Sequence, residues 1–220
     1  GARAGVPYGG AVRPVRGVRG LCPPAARGVW RHWVRTGTGV VLALALAGLS
    51  QLTRVVPYPT RFMFHDELIH ANVLRLIGDT GRLFTENSLL PITAYYPGLE
   101  LATNAVQELT GLSAHTSAVV LLLAARLVLV LSILLVVSHI TGSTRIGATA
   151  VIVYACNPQM LFFNSQFSYQ SLALPLAAFT VYLVLSRRRG SRTSLVAAVL
   201  AIVAVAFTHH VTTALLVVAL

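Results

Sequence analysis

The chain has 220 residues, 55% of them hydrophobic and only 10% charged, and its 17 basic residues, all arginine, against 6 acidic ones give a net charge of +11. An ordinary globular domain is about 25% charged, so this composition, with a mean hydropathy of +0.74, excludes most soluble classes and a disordered chain and makes lipid the expected solvent. The arginines gather at the ends of long uncharged stretches rather than along one face, which argues against a nucleic-acid surface.

Residues 1–35, rich in Gly, Pro, Ala and Arg, read as a disordered tail carrying seven arginines. The transmembrane domain is expected over 36–220, with its first span at about 37–56 around the run VVLALALAGL. That run approaches the ~20 residues needed to cross a ~30 Å hydrocarbon core. Ala45-Leu46-Ala47 has the small-x-small form of a signal-peptidase site, but 35 residues precede the run and further spans follow, so an uncleaved anchor is favoured. A polar segment at 57–115 holds all six acids, Asp66, Glu67, Asp79, Glu86, Glu100 and Glu108, and reads as an extramembrane loop. Further spans are predicted at 116–138, 146–163, 168–186 and 193–208, with a sixth begun at 211–220. Its end in mid-run at Leu220 predicts a missing C-terminal part. The two cysteines form no CxxC motif: Cys22 reads as an unpaired tail thiol and Cys156 as a small buried apolar residue.

Charge sets the orientation. With the N-terminus cytoplasmic, the inner segments 1–35, 139–145 and 187–192 carry twelve arginines, and the outer side carries four, Arg54, Arg61, Arg75 and Arg82, against six acids. This is the positive-inside pattern. The predicted fold is therefore an all-α polytopic transmembrane helix bundle in the cell membrane, with interfacial helices in the first outer loop.

Within that loop, FMFHDELIHANVLRLIGDTGRLF places apolar residues at helical spacing, with Asp66 expected to start the helix and Gly78 to end it. Asp66 and Glu67 then stand together at the helix N-terminus, with His70 one turn on. Adjacent carboxylates at an interface suit proton abstraction from a hydroxyl or binding of a divalent cation; capping and dipole complementation explain them equally well. Arg126 lies inside the second predicted span, where an arginine costs about 2.5–3.5 kcal/mol on insertion scales. It should either grip a phosphate, pair with Glu100 or Glu108, or snorkel.

The acidic pair opening the first outer loop resembles that of the membrane glycosyltransferases of the C superfamily, which include protein O-mannosyltransferases and aminoarabinose transferases. The resemblance continues in order through Gly81 to Phe84, Tyr95-Tyr96-Pro97-Gly98-Leu99, Leu109-Thr110-Gly111, Ala124-Ala125-Arg126, Asn157-Pro158 and the aromatic and polar turn at 162–170, covering about residues 37–220. It implies a polyprenyl-phosphate-linked sugar as donor and membrane lipid as surroundings, with no nucleic acid or nucleotide. It puts the base that activates the acceptor on Asp66, with Glu67 beside it. Where relatives often carry a second acid at the outer start of the fourth span, this sequence has Gln170, an amide that can be neither a carboxylate base nor a charged metal ligand. Relatives also place basic or polar residues near the lipid phosphate at the turn occupied here by His209 and His210. Those two residues, His70, Tyr96, Arg126 and Gln170 form the expected substrate-binding set. His209 and His210 read equally as interfacial turn residues, and Tyr96-Pro97 reads more readily as a helix start than as a substrate contact.

The leading expectation is a transferase moving a sugar to an acceptor on the outer face, with no cofactor certain and a divalent cation left open. The alternatives are a non-catalytic binder or transporter of lipid-linked saccharide on the same scaffold, a truncated and inactive remnant of the enzyme, or an unrelated multi-span protein with an acidic loop.

Overall fold

The computed structural model describes residues 36–186 and 192–220, and among these every regular element is helical. The expected disordered tail at 1–35, with Cys22, and the arginines 187–189 lie outside the described residues. Helix α1 (Thr36–Ser50) continues after Gln51 as the single turn α2 (Leu52–Val55). The polar segment folds into α3 (His65–Thr80), a 3-10 turn at Pro91–Tyr95 and α4 (Gly98–Thr110). Then follow α5 (Ala114–Thr141), α6 (Thr144–Ala155), α7 (Pro158–Leu161), a 3-10 turn at Phe163–Ser165, α8 (Tyr169–Leu185), α9 (Arg192–Thr208) and α10 (His210–Ala219).

The boundaries have local causes. Helix α3 does not start at Asp66 or stop at Gly78. It starts at His65 and runs on to Thr80, where Gly81 takes the left-handed conformation (φ 64°) and its N–H bonds back to the Ile77 carbonyl. Gly111 ends α4 in the same way, and Gly142 takes the left-handed conformation at the end of α5. Ser113 caps α5 by accepting from the Thr116 N–H. The span predicted over 146–163 is not one rod. Pro158 lacks an N–H and Asn157 caps the next turn through Gln159, so the chain bends by 72° between α6 and the Pro158–Ser165 segment. Cys156, at that bend, is exposed rather than buried, because the turn lifts it off the helix interface.

Three apolar clusters hold the described helices together. Ala43 and Ala47 of α1 meet Leu129, Val130 and Leu134 of α5 and Ala148 and Val151 of α6. Leu74 of α3 and Leu99 of α4 meet Ala118, Leu122 and Ala125 of α5, with Phe167 and Leu172. Ala177 of α8, Val205 of α9 and Leu216 of α10 form the third. Small residues let backbones approach. A Cβ on Gly147 would lie 2.7 Å from the Leu134 carbonyl oxygen, and one on Gly98 would lie 2.9 Å from that of Phe207.

Two helical segments are long and apolar enough to cross a membrane, Thr38–Val55 and Ala114–Thr141, and a third counts if the bent pair Thr144–Ala155 and Pro158–Ser165 is one span. Helices α8, α9 and α10 are apolar but shorter. Polarity is arranged inside out: Val41, Val153 and Val217 are 65%, 68% and 70% exposed, whereas Glu67, Glu100 and Arg126 are at most 1% exposed. Charged residues are almost never fully buried unless paired, and Glu67 and Glu100 each contact a basic side chain, Arg54 and His70. This distribution fits a protein associated with a membrane.

Candidate functional site

The beginning of α3 turns on Glu67. Its carboxylate accepts from the Met63 and Phe64 N–H groups at 3.0 and 3.2 Å, satisfying donors that the first helical turn leaves free. Arg54, from α2, donates through Nε to Oε1 at 2.7 Å and through Nη2 to Oε2, a bidentate pair. The Phe167 N–H adds a bond at 3.3 Å. The guanidinium also lies over the rings of Phe64 and Tyr58, 5.2 and 5.5 Å from their centroids. Burial by itself pushes the Glu67 carboxyl up, and Arg54 with the two backbone donors more than reverses this, holding it below the usual carboxylate range. Both oxygens are thus committed to joining α2, α3 and the Phe167 segment.

Asp66, one residue earlier, is exposed and makes no hydrogen bond or ion pair with the described residues. One step along a helix turns a side chain by about 100°. That step carries Asp66 to the rim of a cavity of about 260 Å³, lined by Asp66, Ile69, His70, Leu90, Ser168, Tyr169, Gln170 and His209. Helix α3, the N-terminal end of α8 and the α9–α10 junction converge there. Its volume is just below the about 300 Å³ at which pockets for drug-sized ligands begin, room for one small polar ring.

His70 sits one turn after Asp66 on the same face and is 4% exposed. Its Nδ1 lies 2.6 Å from Oε1 of Glu100, which comes from the first turn of α4 and is fully buried. Tyr169 meets the His70 ring edge-on at 4.1 Å and stacks on His209 at 5.8 Å. The Tyr169 hydroxyl donates to the Thr93 carbonyl at 3.3 Å, which fixes the ring without using His70. His209 is in extended conformation between α9 and α10, and its Nδ1 is 2.8 Å from the Thr212 hydroxyl. Burial lowers its pKa, and the neighbouring His210 and His70 push it the same way, so His209 favours the neutral imidazole.

Of the eight residues expected to form the site, Asp66, His70, Gln170 and His209 line the cavity. Tyr96 and His210 lie behind it, their rings 5.0 Å apart and each in contact with a lining residue, Tyr169 for Tyr96 and His209 for His210. Glu67 faces away into its ion pair. Arg126 is elsewhere: it donates to the Ser50 hydroxyl and to the Met160 carbonyl, both at 2.5 Å. It pairs with neither Glu100, which is held by His70, nor Glu108, which is exposed. The 72° bend offers the Met160 carbonyl to Arg126, so this arginine ties α1, α5 and the bend together.

Glu100 and Tyr169 are the site residues that sequence reasoning did not assign there. Glu100 follows His70 by thirty positions, and no local spacing links them. Among the described residues, no group of three or more His, Cys, Asp or Glu side chains is placed to hold a metal ion. The cavity's lining supplies a single carboxylate, Asp66, with Gln170 as a neutral neighbour. That donor set does not form a cation cage. No protein-family model, curated protein or solved structure matches this chain.

Proposed function

We propose that the chain is a polytopic membrane glycosyltransferase that moves a sugar from a polyprenyl phosphate to a hydroxyl acceptor on the outer face, with Asp66 as the base. The reading is carried by one observation: the Asp66 carboxylate, unpaired among the described residues, shares a cavity sized for a single sugar ring with His70, Gln170 and His209, which come from three separate elements. Planar amides, imidazoles and a tyrosine ring suit the hydroxyls and apolar faces of a saccharide. The outer side is assigned from the arginine distribution, and α3 and α4 then lie at the outer interface. Direct displacement at the anomeric carbon needs a carboxylate within reach of the acceptor proton, and Asp66 is the carboxylate that lines the cavity.

A second reading, a binder or transporter of lipid-linked saccharide, is favoured by Gln170, which leaves the cavity one carboxylate where the resembling enzymes often have two. Transfer from radiolabelled polyprenyl-phosphate hexoses and pentoses, in membranes containing the protein or its Asp66→Asn variant, separates the two. The enzyme reading expects transfer by the wild type and none by the variant at equal protein level. Binding of the labelled donor without transfer by either supports the binder.

A further inference from the structure

We propose that His70 is the acid counterpart of Asp66, kept as an imidazolium by Glu100, and that it protonates the departing phosphate. The proposal rests on the transferase reading and adds a second proton-handling group to it.

Glu100 carries the physical argument. Its side chain is fully buried, its Oε1 is 2.6 Å from His70 Nδ1, and its Oε2 meets no donor among the described residues. An ionised carboxylate removed from water requires a counter-charge and hydrogen bonds. Among the described residues His70 is the basic side chain that contacts it, and the first turn of α4 adds the positive end of a helix dipole, which favours the anion. A neutral pair would forgo both. The groups surrounding the His70 ring agree: Asp66 on its own helix and Glu100 from α4 are acidic, Tyr169 from α8 gives its hydroxyl proton to Thr93, and His209 favours its neutral form. With Nδ1–H given to Glu100, Nε2–H is the donor left for the cavity that the ring lines.

The step balances without a co-reactant. The acceptor oxygen forms a bond to the anomeric carbon and its proton passes to the Asp66 carboxylate. The bond between the anomeric carbon and the phosphate oxygen breaks, its electron pair stays on that oxygen, and the oxygen takes the Nε2 proton of His70. The products are the glycoside and a polyprenyl phosphate monoanion, and transfer of the Asp66 proton back to His70 through solvent restores both groups. Glu100 touches no substrate and is a positioning residue.

The test pairs a spectrum with kinetics on the full chain in nanodiscs. Imidazole nitrogen NMR should show His70 protonated on both nitrogens at neutral pH and neutral in Glu100→Gln; a neutral His70 in the wild type overturns the proposal. His70→Gln and Glu100→Gln should each lower kcat by about 100-fold or more, with KM unchanged. With a donor whose leaving group is a less basic aryl phosphate, that loss should shrink, whereas Asp66→Asn should lose transfer from both donors alike. Equal losses by His70→Gln on the two donors overturn the acid role and leave the transferase reading intact. Full activity of Asp66→Asn, or no transfer by the wild type, overturns the transferase reading, and the spectrum still decides the charge on His70.

Discussion

Helix α3 presents two neighbouring carboxylates to two different surroundings. Glu67 turns inward, loses almost all contact with water and receives the Arg54 guanidinium, two N–H groups at its own helix start and the Phe167 N–H. Asp66 turns toward the cavity and stays unpaired among the described residues. Adjacency in sequence therefore does not make a chemical pair. Counter-charge and burial divide the two into a residue that joins helices and a residue left exposed at the cavity.

The largest way to break this comparison is Glu67→Gln. It leaves Arg54 buried against an amide, and loss of one partner of a buried pair costs about 3–5 kcal/mol. The thermal unfolding midpoint of the detergent-solubilised chain should fall accordingly, and an unchanged midpoint would remove the structural role of Glu67. Next is Gly98→Ala, which tests whether the cavity face depends on close contact between α4 and the end of α9. The new Cβ would sit 2.6 Å from the Thr208 hydroxyl and 2.9 Å from the Phe207 carbonyl. The hydroxyl can rotate away but the carbonyl cannot, so overpacking should destabilise by about 1–3 kcal/mol in the same melt.

Acid titration sharpens the comparison further. His209 is held below the ordinary imidazole value of about 6.5, so the unfolded chain takes up its proton first and stability should fall as pH drops through that value. His209→Gln should remove this limb. Glu67 is held below the usual carboxylate range, so its contribution is fully present above about 4.3 and is lost as pH falls through the lower folded-state value. Glu67→Gln should remove this second, more acidic limb. Smallest in stability is Asp66→Asn, an exposed change expected to stay within about 0.5 kcal/mol.

Much of the helical order was legible, because uncharged runs and glycines punctuate the chain locally. The loop helix and the restart near residue 210 follow from such signals, whereas the span predicted over 146–163 runs across Asn157-Pro158, where the chain bends. The end of α3 was misplaced because Gly78 and Gly81 are both plausible stops, and only Gly81 needs the left-handed backbone. Asp66 and His70, singled out on the acidic loop helix, and Gln170 and His209, singled out through the family resemblance, line one cavity. The partners were not legible. Arg54 with Glu67, His70 with Glu100, and Arg126 with Ser50 and Met160 are joined across helices by packing, and no spacing along the chain encodes those contacts. The reading of Arg126 shows the consequence: its insertion cost demanded a partner, and the partner is a carbonyl exposed by a bend rather than an acid.

The most direct measurement is sugar transfer and thermal unfolding of Asp66→Asn in parallel with the wild type, in membranes supplied with labelled polyprenyl-phosphate sugars. The account predicts an unfolding midpoint equal to the wild type with transfer abolished. Transfer at the wild-type rate by a folded Asp66→Asn protein would contradict it.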